Sequence, residues 1–391
     1  MARLEDIIWD TVVIGAGIVG SFTAWQLQKL QSQVLLVDQF QLPHSRGSSA
    51  GLTRAVRKAY QEDFYCEMME EAYKIWEQIE HEANVIINKK TGMLIIDKDA
   101  GNLTSIKSNL QQLIFPCTTL TEEELRTKFP GLKFDGHAGL IDIDAGVTDV
   151  QAALRTVQFL FRKNGGTICP ETKVLKINPG RLVGIMTNKG NYQAKSVVIT
   201  AGPWAAKLME PLGLHLPLKP MAINVFYWKE KVPGAYSMAS GFPVFADYNT
   251  MRLDTFVYGL PSSEYPNMMK MCLHVGPATD PDKRDLQIKE HIASDIKKLS
   301  EYIRGHFLHL EDNPSIIERC MYTNTPDGNF ILDKHPKWDN IVIGAGFSGH
   351  GFKLAPVVGK ILADVVTNRN PQYNMTHFRM SRFEHEEKSK L

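Results

Sequence analysis

Residues 13–20 read Val-Ile-Gly-Ala-Gly-Ile-Val-Gly, a spacing able to hold a dinucleotide. An apolar strand, Trp9 to Ile14, precedes the glycines, and a helix running to about Leu30 follows them. A second strand, Gln33 to Val37, ends in Asp38. In this arrangement Gly15 makes the tight turn, Gly17 lets the backbone approach a pyrophosphate, and Gly20 lets helix and strand pack closely. The helix N-terminus offers N–H groups to the phosphates, and Asp38 can accept hydrogen bonds from a ribose. The motif alone leaves open whether the ligand is FAD or NAD. Other reactive residues lie far along the chain. Lys270, Cys272 and His274 alternate, so on a strand they share one face, with Met269, Met271, Leu273 and Val275 on the other. Taken alone, this says only a half-buried strand. Arg54 and Arg57 are three apart and would share a face if helical. Cys320 and Lys353 are, by themselves, a small buried hydrophobe and a surface lysine at a helix start.

These residues need positioning elements. The opening 40 residues read as a βαβ unit, followed by a Gly/Ser/Pro-rich loop, 43–51, and a long helix, Phe64 to Glu82. Thr121 with Glu124 three residues later suggests a capping box. Asp149 to Asn164 reads as an amphipathic helix closed by Gly165-Gly166. Strands are expected at Lys173 to Ile177, Leu182 to Thr187 and Ser196 to Thr200. Residues 215–275 alternate and read as an antiparallel sheet, through Ala222 to Trp228, Phe242 to Asp247, Thr255 to Gly259 and Met268 to Val275. Asp280 to Leu308 reads as helical. Near the end, Gly344, Gly346 and Gly349 repeat the opening spacing before a helix, Phe352 to Thr367. No strand ending in an acid follows, so these glycines suggest close approach to the same cofactor rather than a second site.

The chain has 391 residues, 43% hydrophobic and 22% charged, with a formal net charge of +1. That length implies more than one core, and that charge gives no argument for nucleic acid or an anionic membrane. Five scattered cysteines form no metal-type pair and no disulfide framework, so no metal and a reducing compartment are expected. No run is long enough to span a bilayer. The last three residues, Ser389-Lys390-Leu391, read as a receptor-read peroxisomal address after a polar run.

Six blocks carry a family resemblance: Ile14-Gly-Ala-Gly, Leu42-Pro-His-Ser-Arg-Gly-Ser-Ser, Thr53-Arg-Ala-Val-Arg-Lys-Ala-Tyr, Ile199-Thr-Ala-Gly-Pro-Trp, Cys320-Met-Tyr-Thr-Asn-Thr-Pro-Asp and Gly344-Ala-Gly-Phe-Ser-Gly-His-Gly-Phe-Lys. The chain resembles the monomeric sarcosine oxidase family over essentially its whole length, and within it the vertebrate peroxisomal sarcosine/L-pipecolate oxidase branch. The resemblance implies FAD and a mixed α/β fold: a Rossmann-like FAD-binding domain with an inserted substrate domain on a mixed or antiparallel sheet. The FAD-binding part would comprise 1–80, 145–215 and 320–380, the substrate part 81–144 and 216–319, and the tail 381–391.

The resemblance also implies roles. Gly15, Gly17, Gly20, Asp38, Ser48, Val174 and Gly346 would bind FAD, and Cys320 would form a thioether with the flavin. Arg54, in preference to Arg57, would bind the substrate carboxylate or the flavin environment, with Lys353 as a second cation. Lys270 would assist oxygen reduction. His274, Tyr258 and Tyr322 would line the substrate pocket, where aromatic rings can hold an amine. The implied activity is oxidation of a secondary amino acid, with molecular oxygen reduced to hydrogen peroxide, by a monomer. Sarcosine, L-pipecolate and L-proline stay open as substrates. A flavin dehydrogenase with another acceptor, or a non-catalytic FAD-binding protein, is the alternative. One departure stands out: Ala50 replaces a histidine that many relatives carry near the flavin ring.

Overall fold

The computed structural model describes residues 3–43, 45–98, 100–248, 256–286 and 288–383. Ser389-Lys390-Leu391 lie outside the described residues, as does Thr255 at the start of one expected strand.

Alternation within apolar strands builds the first sheet. Ile8–Ile14 runs parallel to Val34–Val37 on one side and to the long strand Gly190–Ile199 on the other. The far half of Gly190–Ile199 continues parallel to Ile341–Ala345, while its near half pairs antiparallel with Val183–Thr187, which in turn pairs antiparallel with Val174–Asn178. Thr167–Cys169 and Ile331–Lys334 complete eight strands. Val13, Leu36, Val198 and Val342 face a core formed with helices Ile18–Lys29, Asp63–Ala83, Val150–Lys163 and Gly351–Val366. The neighbouring positions Val12, Ile14, Leu35, Val37, Val197 and Ile343 fill a second core on the opposite face. This is the period of two expected for a strand buried on both sides. Gly351–Val366 has buried residues all round, as a central helix must.

The second sheet has eight strands in the order Leu310–Asn324, Lys219–Glu230, Met268–Leu273, Val257–Pro261, Val244–Asp247, Met93–Asp97, Ala138–Asp142 and Cys117–Leu120. All its pairs are antiparallel except Val244–Asp247 with Met93–Asp97. A small third sheet pairs Thr53–Val56 and Asn88–Lys90 with Gly146–Asp149. The fold is thus mixed α/β, as expected.

Two local expectations are corrected, and one condition left open is decided. Arg54 and Arg57 are not on a helix: Arg54 lies in the strand Thr53–Val56 and Arg57 follows its end. The long helix near residue 290 spans only Lys289–His306, with a separate short turn at Pro281–Lys283, because Pro281 and the acidic and basic residues after it carry no apolar face. The strands of 215–275 do not form a sheet alone but join strands from 93–142, whose short length hid them. By contrast, Thr121 and Glu124 form the expected capping box, and Asp149 caps Val150–Lys163.

The opening turn is sterically fixed. Gly15 has φ +103°, and a Cβ there would lie 2.5 Å from the Thr200 carbonyl oxygen. At Gly20 a Cβ would lie 1.9 Å from the Gly15 carbonyl oxygen. A Gly20→Ala protein is expected to unfold more easily by about 1–3 kcal/mol and to retain dinucleotide poorly. Thermal unfolding of the apoprotein and the absorbance of the purified protein check this; a wild-type midpoint would show that the turn relaxes freely.

Candidate active site

A cavity of about 1300 Å³ runs from the opening turn to the second sheet. Gly15, Gly17, Asp38, Ser48 and Val174 line it, and so do Arg54, Tyr258, Lys270, His274, Cys320, Tyr322 and Lys353. Two expected residues do not line it. Gly20 lies under the turn, and Gly346, with φ +67°, packs against Thr325.

At the dinucleotide end, Gly17 is the N-cap of Ile18–Lys29 and has no side chain of its own to cap the helix. Ser49 Oγ accepts from Ile18 N–H at 2.9 Å, which fastens the loop before Gly51 to the helix start. The Asp38 carboxylate accepts from the backbone N–H groups of Ala16 and Phe40 and lines the cavity. A helix N-terminus lining the cavity, a glycine turn and a terminal acid fit the phosphates and ribose of FAD.

Arg54 is held by the chain itself. Its guanidinium donates to the carbonyls of Thr53, Ser48 and Ala50 at 2.8, 3.0 and 2.6 Å, and its Nη2 lies 3.4 Å from Cys320 Sγ. Cys320 comes from the second sheet, on Leu310–Asn324, and is buried. The Ala50 side chain does not line the cavity; its carbonyl serves Arg54.

Arg57 is different. It lines the cavity, stacks over Tyr60 at 4.0 Å, and its Nη1 is buried without a hydrogen-bond partner. Lys353, in the first turn of Gly351–Val366, is also buried, and its backbone carbonyl accepts from Trp76 Nε1. Burial, with Arg57 and Arg54 nearby, holds the Lys353 ammonium well below its ordinary pKa. Among the described residues no carboxylate lies within ion-pair distance of Arg54, Arg57 or Lys353. A buried cationic cluster with no counterion is a site for an anion.

The same cavity holds an aromatic wall. Tyr258 and Tyr322 hydroxyls are 3.3 Å apart, and His274 stacks on Phe256 at 4.3 Å. Gly349 has φ +78°, and a Cβ there would strike His274 and Tyr322, so the glycine sets the wall's position. Burial and the Lys353 and Arg57 charges push His274 down to about 3. In the unfolded chain it protonates near pH 6.5. The unfolded state then binds more protons between those values, so His274 makes stability fall as pH falls from about 6.5 toward 3. His274→Gln is expected to flatten the slope of apoprotein stability across that window, read by denaturant unfolding at several pH values. An unchanged slope would mean that His274 titrates normally.

Lys270 is 4% exposed, and its Nζ donates to Thr53 Oγ1 at 2.9 Å. Sequence reasoning missed its neighbour Glu264, whose carboxylate lies 3.6 Å away. Glu264 sits in a loop, where no periodicity marks it. Arg57 was underweighted for a similar reason: its neighbour Lys58 makes the pair look like a solvated basic face.

The sequence model of the FAD dependent oxidoreductase family matches residues 10–365. The peroxisomal sarcosine oxidase of Homo sapiens is 49% identical over 385 residues, covering 98% of each chain. The monomeric sarcosine oxidase of a Bacillus species is 30% identical, covering 96% of this chain and 97% of its own. Among solved structures, NikD, described as an unusual amino acid oxidase essential for nikkomycin biosynthesis, superposes with a TM-score of 0.81 at 21% identity, covering 95% of this chain and 97% of its own. The L-proline dehydrogenase of P. horikoshii gives 0.80 at 20% identity, covering 97% and 98%. These two likenesses concern the fold. The match over nearly the full length, with FAD-fitting residues around one cavity, makes the chain a member of the FAD-dependent oxidoreductase family and of the sarcosine oxidases within it, a flavoprotein oxidoreductase acting on CH–NH groups.

Proposed function

We propose that the protein is an oxidase of secondary amino acids that releases hydrogen peroxide, with sarcosine, L-pipecolate and L-proline as the substrates to compare. The observation that carries this reading is that Arg57 and Lys353, with no carboxylate partner among the described residues, line the dinucleotide cavity together with an aromatic wall. The substrate carboxylate binds Arg57 and Lys353, which shifts the carboxylate role from Arg54 to Arg57, because Arg54 spends its donors on loop carbonyls. Tyr258, Tyr322 and His274 hold the amine-bearing end and exclude water. His274 is neutral there, so it adds no competing charge beside the amine. FAD supplies the two-electron acceptor chemistry when bound. Gly15, Gly17, Asp38, Ser48 and Val174 hold it, and Lys270 presents a fixed positive charge where oxygen gains negative charge. The substrate's C–N bond becomes an imine, which leaves and hydrolyses or stays cyclic.

Cys320 carries the flavin as a thioether in this reading. The Arg54 guanidinium lies 3.4 Å from Sγ and fixes the sulfur inside the dinucleotide cavity. A Cys320→Ser protein is expected to lose its yellow colour on acid precipitation, whereas the wild type keeps it; colour retained by Cys320→Ser would place the attachment elsewhere. The chain is read as a two-part molecule, 1–80, 145–215 and 320–380 around FAD and 81–144 with 216–319 toward the substrate. It is read as a monomer, in line with the printed name of its bacterial relatives. Ser389-Lys390-Leu391, together with the peroxisomal names of the human and mouse relatives, supports import to the peroxisome through the receptor that reads this address.

The test is peroxide release by the purified yellow protein with sarcosine, L-pipecolate, L-proline and D-proline at matched concentrations. Release with an L or N-methyl substrate is expected. Anaerobic bleaching without peroxide would move the assignment to a dehydrogenase, and no bleaching with any of them would defeat it.

A further inference from the structure

We propose that Glu264 is a positioning residue which, with Thr53, holds the Lys270 ammonium charged and aimed at the cavity. The inference rests on the reading of Lys270 as the oxygen-side cation. Glu264 does not line the cavity, so it acts only through Lys270.

Four elements converge to build this contact. Lys270 is on Met268–Leu273, and Glu264 is in the turn that leads into that strand. Thr53 opens the small third sheet, and Tyr227 is on Lys219–Glu230. Lys270 Nζ lies 3.6 Å from Glu264 Oε1, with the two side chains 5% and 7% exposed. Among the described ion pairs it is the one with both partners so deeply enclosed. The Thr53 hydroxyl bridges the pair: it accepts from Lys270 Nζ at 2.9 Å and donates to Glu264 Oε1 at 2.6 Å. Tyr227 donates its hydroxyl to the same oxygen at 2.8 Å, and Ser263 N–H donates to the other at 2.9 Å. A carboxylate that accepts this many donors is fixed in its ionised form.

The surroundings show why Lys270 needs it. Burial pulls its pKa down, Glu264 is the chief opposing influence, and Arg54 on the third sheet adds repulsion. Cys272 on its own strand and Glu318 on Leu310–Asn324 lend weaker support. Glu318 is occupied with Tyr265 and Tyr227 hydroxyls and does not reach Lys270 within ion-pair distance. Glu264 itself is held below the usual carboxylate range, burial being outweighed by Lys270 and the donated hydrogen bonds.

Two measurements test this. The first uses the FAD-loaded protein, reduced anaerobically with dithionite and mixed with oxygen across pH 6 to 9. Glu264→Gln is expected to move the alkaline fall of the oxygen rate to lower pH, with a loss of about tenfold at the alkaline end and little loss at the acid end; Glu264→Asp restores the wild-type profile. A uniform loss at every pH, or no change, overturns the proposal. The second needs no flavin: apoprotein unfolding in a cycle of Glu264→Gln, Lys270→Met and the double variant. Pairing predicts that Glu264→Gln destabilises the wild type much more than it destabilises the Lys270→Met background. Equal costs in both backgrounds overturn the pairing. If Glu264→Gln does not fold, recovery of folding in the double variant supports the pairing, and continued failure overturns it. Because dithionite replaces substrate and the cycle needs none, a failure of the amino-acid oxidase reading leaves this result separately readable.

Discussion

Replacing Lys270 with methionine is expected to slow reaction of the reduced protein with oxygen by about 10²–10³-fold, while anaerobic reduction by substrate changes far less. Lys270 is the only charged group of Met268–Leu273, and its ammonium lines the cavity at a place with little water to screen it. When oxygen takes its first electron it becomes an anion, and a preorganised cation there stabilises that charge without reorganising. In the proposed reaction, substrate oxidation depends on the carboxylate clamp and the aromatic wall, which Lys270 does not touch in any hydrogen bond; its donors go to Thr53. Methionine matches the stem of lysine, so the packing between Thr53 and Tyr227 is largely kept. Stopped-flow measurement of the two half-reactions separates the effects. Comparable losses in both would make Lys270 a structural residue. Glu264, left without its partner, changes the fold's stability equally in both half-reactions and so does not mimic the selective loss.

How far the sequence carried this picture follows from where each signal lives. The opening βαβ unit was readable because three independent features coincide there: apolar strands, glycines whose Cβ atoms would clash, and Asp38 at a strand end. The face shared by Lys270, Cys272 and His274 was readable because a strand has a period of two. What it could not reveal was which faces are wet: the polar face of that strand is buried against the cavity, not open to solvent. The second sheet was only half legible, since its parallel junction between Val244–Asp247 and Met93–Asp97 joins segments about 150 residues apart. The division of labour between Arg54 and Arg57 was also out of reach. It depends on the carbonyls of Ser48 and Ala50 curling back onto Arg54, a property of loop conformation that residue types do not encode. Glu264 was invisible for the same reason, because its partners come from the third sheet and from Lys219–Glu230.

An Arg57→Met protein is expected to lose about 10²-fold or more in kcat/KM for its amino-acid substrate, mostly through KM, with oxygen reactivity retained. Truncating one partner of a buried, hydrogen-bonded charge pair costs roughly 2–5 kcal/mol, and each 1.4 kcal/mol is tenfold. The free protein already stores part of this energy. Arg57 Nη1 is buried with no partner, and Lys353 is held well below its usual pKa by burial and by the two arginines. A carboxylate entering between them supplies the missing acceptor and the missing countercharge together. The same logic fixes a pH dependence. Lys353 loses its proton at lower pH than a free lysine, so substrate affinity should fall as pH rises through that depressed value. Arg57→Met relieves part of the repulsion and should move the fall to higher pH. Arg54→Met makes the discriminating comparison. It frees the carbonyls of Ser48 and Ala50 and removes the cation beside Cys320, so it should lower stability and flavin attachment more than substrate affinity. If Arg54→Met raised KM more than Arg57→Met, the carboxylate would belong to Arg54 and the orphaned donor of Arg57 would need another ligand. A simple amine lacking the carboxylate separates the two further: Arg57→Met should leave its low reactivity unchanged, since the interaction removed is one that such a substrate never makes.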